Sequence, residues 1–158
     1  MMRTPSVLCL ALCVGAALWV PAGSAQAQGV GGEVLIIHAL EAEGVIDPAL
    51  ASIAVLRRPP FNSYRSMRVL SRPPLQLTLG QAAEIPLPNG RRLRVTLQAI
   101  SDDGRFQVSV SINRPNQSDY LREARIIASP GDPFFVAGQT HEGGILLIGI
   151  RLGQRPTG

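Results

Sequence analysis

The sequence contains no lysine and only two cysteines among its 158 residues. Both cysteines, Cys9 and Cys13, lie inside an N-terminal apolar run, so the rest of the chain has no thiol for a disulfide or a thiolate metal site. All fifteen basic residues are therefore arginine, which is typical of a GC-rich genome. The body of the protein must be stabilised by its hydrophobic core alone.

Strong charge and the common catalytic motifs are also missing. The formal net charge is only +4 and is spread along the chain, which argues against nucleic-acid binding as the main role. No serine lies in a Gly-x-Ser-x-Gly elbow, and no glycine-rich stretch forms a phosphate-binding loop. These absences favour a protein that is not an enzyme and carries no cofactor.

The N-terminus has the three parts of a secretory signal peptide. Arg3 precedes an apolar run over residues 7–20, and the small residues Ala25 and Ala27 follow it. The run is shorter than the roughly 20 residues that a membrane span needs. We therefore predict a signal peptide over residues 1–27 and export to the periplasm or the extracellular space. A retained membrane anchor and a lipid anchor are the weaker alternatives.

The residues after the leader predict one α+β domain over 28–152 and a flexible tail over 153–158. A β-branched apolar run over 34–40 predicts a strand that is buried on both faces. Asp47 and Pro48 then have the residue types of a helix cap and a first helical turn, so we predict a helix from there to about Arg57. Pro59 and Pro60 end it.

The later part of the chain alternates between apolar and polar residues and predicts strands. Asp103-Gly104 separates two alternating runs, which is the strongest short signal of an antiparallel hairpin. Residues 120–128 suit a helix or a strand, and we favour the strand. Residues 138–144 predict a glycine-rich loop, and the apolar run over 145–150 predicts a central strand. Further short strands are predicted over 64–71, 75–79, 83–87 and 134–137.

This order of elements predicts a mainly antiparallel, twisted sheet with one helix packed on it, and the alternative is a β-sandwich with a helical excursion. A turn over residues 130–133 (Pro-Gly-Asp-Pro) precedes a Gly-Gly-aliphatic strand that begins at Gly143. In these features the chain resembles the small uncharacterised exported α+β proteins of GC-rich Gram-negative bacteria. That resemblance implies no activity and no binding residues.

Two groups of residues are candidates for a site. The exposed face of the predicted hairpin could hold an anionic glycan or lipid headgroup, since guanidinium groups match phosphate and carboxylate, although such a face is more often simply solvated. Its candidate residues are Arg92, Arg94, Gln98 and Gln107. His141, next to Glu142 in the predicted loop, is a weak metal candidate that would need His38 or Asp132 beside it.

The sequence therefore favours a non-catalytic interaction or accessory module of the cell envelope, whose partner is another envelope protein. A binding domain for an anionic glycan or lipid headgroup is the second hypothesis. A metal-dependent hydrolase built around His141 is the third.

Overall fold

The computed structural model describes residues 28–153, apart from the side chains at positions 137 and 138. The predicted signal peptide and residues 154–158 of the predicted tail lie outside this part of the chain. Within it, nine strands follow one another: β1 Gly29–Leu40, β2 Ser66–Ser71, β3 Pro74–Thr78, β4 Ala82–Pro86, β5 Arg92–Ile100, β6 Phe106–Ile112, β7 Ala124–Ala128, β8 Phe134–His141 and β9 Gly144–Leu152.

The strands form two sheets, and every pair of these strands is antiparallel. The first sheet has the order β2-β1-β9-β8, with β3 pairing the beginning of β1. The second sheet has the order β4-β5-β6-β7. The prediction of a mainly antiparallel sheet structure is confirmed.

The two sheets share one hydrophobic core. Val34 and Ile36 of β1 and Ile148 of β9 belong to the same buried cluster as Val95 of β5 and Val110 of β6. Alternate residues of these four strands enter this cluster, as the two-residue period of a strand requires. The layered arrangement matches the alternative of a β-sandwich more closely than a single sheet.

The first sheet is buried on its other face as well. Leu35 and Ile37 of β1 and Leu147 of β9 point away from the shared core and form a second cluster. Because both faces are covered over residues 34–37 of β1 and in β9, these stretches are continuous apolar runs rather than alternating ones. The prediction that the last strand is central is confirmed, since β9 lies between β1 and β8.

The predicted helix from Asp47 to Arg57 is wrong. Residues 28–153 contain no helix of seven or more residues, and this region instead forms three short 3₁₀ helices, Pro48–Leu50, Ala54–Arg57 and Phe61–Ser63. We call residues 45–64 the 3₁₀ segment. The capping prediction is correct, because Asp47 Oδ1 accepts a hydrogen bond of 2.9 Å from the backbone N–H of Ala49.

The spacing of the buried residues explains this difference. Leu50, Ile53 and Leu56 lie three residues apart and all pack onto the outer face of the first sheet. A spacing of three is the repeat of a 3₁₀ turn, and Leu50 and Leu56 lie in two separate 3₁₀ helices rather than in one continuous helix. Ile53 itself is extended, with φ −91° and ψ 91°, and interrupts the helical turns.

The hairpin prediction is confirmed. Strands β5 and β6 pair from Leu93 opposite Ile112 to Ile100 opposite Phe106. The backbone N–H of Gly104 donates to the carbonyl of Ser101, and Gly104 has φ +79°, a conformation that a glycine adopts without steric cost.

Two other segments differ from their predictions in extent. Only the second half of residues 120–128 is strand, as β7. Residues 138–144 are not a loop, because β8 continues to His141 and β9 begins at Gly144. The connection between these strands is a tight turn at Glu142 and Gly143, both of which have positive φ.

Candidate functional site

All four residues predicted on the hairpin lie on the outer face of the second sheet, which is the face turned away from the shared core. Arg92 and Arg94 alternate along β5 with residues that are fully buried in the core. A bulge between Leu97 and Ala99 interrupts the register beside Gln98. Gln98 and Gln107 line one cleft on this face.

Arg94 is held in place by two neighbours. Its Nη2 lies 2.9 Å from Oε1 of Glu84 on β4, and its guanidinium carbon lies 3.7 Å from the centroid of the Tyr120 ring. The hydroxyl of Tyr120 donates a 2.9 Å hydrogen bond to the same oxygen of Glu84. Arg92 approaches the other oxygen of Glu84 at 3.9 Å. One carboxylate therefore engages both of the predicted arginines.

These contacts shift the pKa values of Glu84, Tyr120 and Arg94. The pKa of Glu84 lies below its ordinary value, first because Arg94 and then because Tyr120 donates hydrogen bonds to the carboxylate. Burial raises the pKa of Tyr120, and the hydrogen bond to Glu84 raises it further. The pKa of Arg94 is raised by its bond to Glu84. The carboxylate is held ionised and the phenol neutral, so the arginine charge is largely matched within the protein.

Beside this cluster, a cleft of about 520 Å³ opens between β5, β6 and β7. Gln98 donates a 3.0 Å hydrogen bond to the buried hydroxyl of Ser109, and Gln107, Arg125 and Ile127 complete the polar and apolar rim. Sequence reasoning does not single out Arg125 and Ile127. Both alternate along β7 with the core-facing Ile126 and Ala128, and this alternation is the sequence signal of an outward pair.

A second cleft, of about 420 Å³, lies at the end of the second sheet near Arg91 and Arg92. The guanidinium group of Arg91 is held there by hydrogen bonds within the protein. Its Nε and Nη2 donate to the carbonyl oxygen of Asn113 at 2.8 and 2.6 Å, and its Nη1 donates to the side-chain oxygen of Gln139. Because Gln139 belongs to β8, Arg91 links the two sheets.

Neither sequence nor structural comparison relates this chain to a known protein. No protein-family model, no curated protein and no solved structure matches it. Among residues 28–153, no helix has the length and apolar character needed to cross a membrane.

The structure places His38, but not Asp132, beside His141. The Nε2 of His38 donates a 3.0 Å hydrogen bond to the carbonyl oxygen of His141, and the two rings meet edge to face with centroids 5.4 Å apart. Glu142 Oε2 lies 3.8 Å from His141 Nε2. Asp132 lies before β8, at the end of the strand opposite to His141. In the described part of the chain, no group of three metal-ligating side chains assembles.

The 3₁₀ segment begins with two exposed apolar residues. Val45 is 77% exposed and Ile46 is 48% exposed, and they follow each other directly. A cleft of about 300 Å³ includes Ile46 and is lined mainly by apolar side chains. These are Ile46, Pro48, Leu50, Ala51, Leu56 and Met67, with Asp47 and Arg57 as the polar members. We call this region the apolar surface.

Proposed function

We propose that this protein is a non-catalytic interaction or accessory module of the cell envelope, exported by its N-terminal leader and bound to another envelope protein. The observation that carries the proposal is the apolar surface on the 3₁₀ segment. Contiguous apolar groups with a polar rim are typical of protein contacts, whereas single exposed apolar residues need no explanation. Ile46 lines an apolar cleft and directly follows the exposed Val45, so this region belongs to the first kind.

The state of the titratable groups supports a role without catalysis. Catalytic carboxylates usually have a raised pKa and face open space near a substrate. In Glu84 the shift is downward, and its named partners Arg94 and Tyr120 account for it. In Asp103 the pKa is also lowered, by hydrogen bonds from Ser101 and Arg105 within the hairpin turn. Both shifts have a structural explanation.

Export is tested by fractionation of the native cells and N-terminal sequencing. We expect the protein in the periplasm or the medium, with Gln28 as its first residue, because a signal peptidase accepts small side chains such as those of Ala25 and Ala27. An intact chain that begins at Met1 and stays among cytosolic proteins would contradict the proposal.

The interaction is tested by affinity capture from the native envelope fraction, with wild type and surface variants compared by quantitative mass spectrometry. We expect wild type to enrich a specific envelope protein, and Val45→Glu and Ile46→Glu to lose at least nine-tenths of that enrichment. Leu79→Glu is the matched control, since Leu79 is 40% exposed on another part of the surface. Enrichment of nothing above background, or equal enrichment by all variants, would refute the proposal.

A further inference from the structure

We propose that the cleft of about 520 Å³ between β5, β6 and β7 binds a small organic carboxylate that also carries an N–H group and an aliphatic body, as an N-acylated amino acid does. We call it the β5–β7 cleft. Its volume lies within the range of roughly 300–1,000 Å³ that is typical of small-molecule sites. The proposal goes beyond the function proposed above and does not depend on it, because the apolar surface belongs to the 3₁₀ segment.

The pairing of the strands brings four outward side chains to this cleft. On β7, Arg125 lies opposite Ser109 of β6. Two positions later, and thus roughly 7 Å further along the strand, Ile127 lies opposite Gln107. Gln98 lies at the bulge of β5 and reaches the hydroxyl of Ser109 at 3.0 Å. The cleft therefore has a cationic end and an apolar end, with amide groups alongside.

Arg125 supplies the charge at the cationic end. Its side chain is exposed, and it forms neither an ion pair nor a hydrogen bond with another residue in the described part of the chain. Arg94 on the same face, by contrast, is already bound to Glu84. A guanidinium group can donate two parallel hydrogen bonds to one carboxylate. Its single charge matches a carboxylate more closely than a phosphate, which carries nearly two charges.

The two glutamine side chains specify the middle of the ligand. The Nε2 of Gln98 donates to the hydroxyl of the buried Ser109, which orients the amide and leaves its carbonyl oxygen as an acceptor. Gln107 makes no side-chain hydrogen bond to the residues that the structure describes, so its amide offers a donor and an acceptor. A ligand with an N–H and a carbonyl next to its carboxylate complements these groups.

Ile127 forms the apolar end. Its side chain is 64% exposed. Val108 and Ile126 also line the cleft and pack into the shared core, so the floor of the cleft is the sheet itself. An aliphatic group placed against Ile127 removes apolar surface of both partners from water. An acidic sugar would instead place hydroxyl groups against this side chain, where they find no hydrogen-bond partner. The cleft therefore favours an aliphatic body.

The test is a titration of the purified, ¹⁵N-labelled protein with N-acetylleucine, followed by two-dimensional NMR. We expect a dissociation constant on the order of 1 mM, since a ligand of about a dozen non-hydrogen atoms has few groups to bind with. The amide signals that shift should belong to residues 96–99, 107–109 and 125–127. Signals that do not shift up to about 20 mM ligand, or saturable shifts confined to other residues, overturn the proposal.

Related ligands test each part of the expected chemistry. N-acetylleucinamide lacks the carboxylate and should bind roughly tenfold more weakly. N-acetylglycine lacks the aliphatic side chain and should bind roughly threefold more weakly. Glucuronate has a carboxylate and hydroxyl groups, and binding as tight as that of N-acetylleucine would overturn the assignment of an aliphatic body.

A free acylated amino acid and the C-terminal residue of a peptide have the same recognition chemistry. The peptide Ala-Ala-Leu with a free carboxylate distinguishes these two sources. Tighter binding than that of N-acetylleucine assigns the cleft to a peptide end, because further residues of the peptide then add contacts. Equal or weaker binding assigns it to the free small molecule.

Variants of the cleft complete the test. We expect Arg125→Gln to weaken N-acetylleucine binding roughly tenfold, because it removes the charge and keeps an amide of similar size. Ile127→Ala should weaken binding roughly threefold. Arg68→Gln is the matched control, since Arg68 is an exposed arginine on β2, and it should bind as wild type does.

The NMR spectrum of each variant also shows whether the variant is folded, so a loss of binding is not mistaken for a loss of structure. Equal affinity of Arg125→Gln and wild type would overturn the proposal. These outcomes leave the proposed contact with an envelope protein unaffected, since that contact is tested at Val45 and Ile46.

Discussion

The central carbon of the Arg94 guanidinium group lies over the Tyr120 ring, 3.7 Å from its centroid. Tyr120 follows a long connection after β6, and Arg94 is near the start of β5. Glu84 on β4 receives hydrogen bonds from both. The three side chains therefore attach the connection over residues 114–119 to the outer face of the second sheet.

Replacement of Arg94 should change the stability of the protein rather than its binding of anionic ligands. We expect Arg94→Ala to lower the free energy of unfolding by about 1 kcal/mol, the size of a partly exposed cation–π contact, as measured by urea denaturation. Retention on anionic lipid vesicles should change little, because Glu84 already engages this guanidinium. A large loss of retention with unchanged stability would instead support the hypothesis of an anionic ligand.

Glu84 should make stability depend on pH in the acid range. Its folded-state pKa is depressed below the ordinary value of 4.5, so the carboxylate stabilises the fold above that value. The contribution is lost as the pH falls through the lower folded-state pKa. We expect Glu84→Gln to be less stable than wild type at pH 7 and the difference to shrink steadily below about pH 4.5.

Urea unfolding at a series of pH values from 7 to 3 measures this difference. Glu41→Gln is the control, since Glu41 is exposed and makes no ion pair among residues 28–153. A difference between wild type and Glu84→Gln that stays constant across the series would show that the contacts of the carboxylate do not depend on its charge.

The local pattern of the sequence predicts the strands well, because the order of apolar and polar residues along a strand depends on whether one or both of its faces are buried. The alternation around Asp103-Gly104 reflects a sheet with one face in the core. The continuous apolar run of β9 reflects two buried faces. The helix prediction is wrong because Asp47 and Pro48 are local signals that start a helical turn but do not set its length. The extent of the helical turns is instead set by the packing of Leu50, Ile53 and Leu56 against the first sheet.

The candidate site is predicted less well, since it depends on contacts between distant residues. Arg92 and Arg94 are correctly placed on one exposed face, yet their partner Glu84 comes from another strand. His38 and His141 are 103 positions apart and meet only because β1 and β8 both flank β9. Pairing of this kind is set by strand order, which the sequence pattern does not encode locally.

Arg91 should be one of the most important polar residues for stability. It satisfies the carbonyl of Asn113 and the side chain of Gln139, both of which are buried. Arg91→Ala leaves these acceptors without a donor, so we expect a loss of about 2 kcal/mol in the free energy of unfolding. Arg92→Ala, at an exposed neighbouring position, should cost no more than about 0.5 kcal/mol. Equal losses in both variants would contradict the proposed link between the sheets.

The stability of the 3₁₀ segment should depend more on Ile53 than on its neighbour Val55. Ile53 is buried between Leu50 and Leu56 on the first sheet, whereas Val55 is 37% exposed. We expect Ile53→Ala to cost about 2–4 kcal/mol in urea unfolding, since it leaves a cavity, and Val55→Ala to stay within about 0.5 kcal/mol. Amide hydrogen exchange should then accelerate in residues 48–63 more than in β9, because β9 also packs in the core that the two sheets share. Uniform acceleration along the whole chain would mean that the segment and the two sheets unfold as one unit, and the apolar surface could then not be altered without loss of the fold.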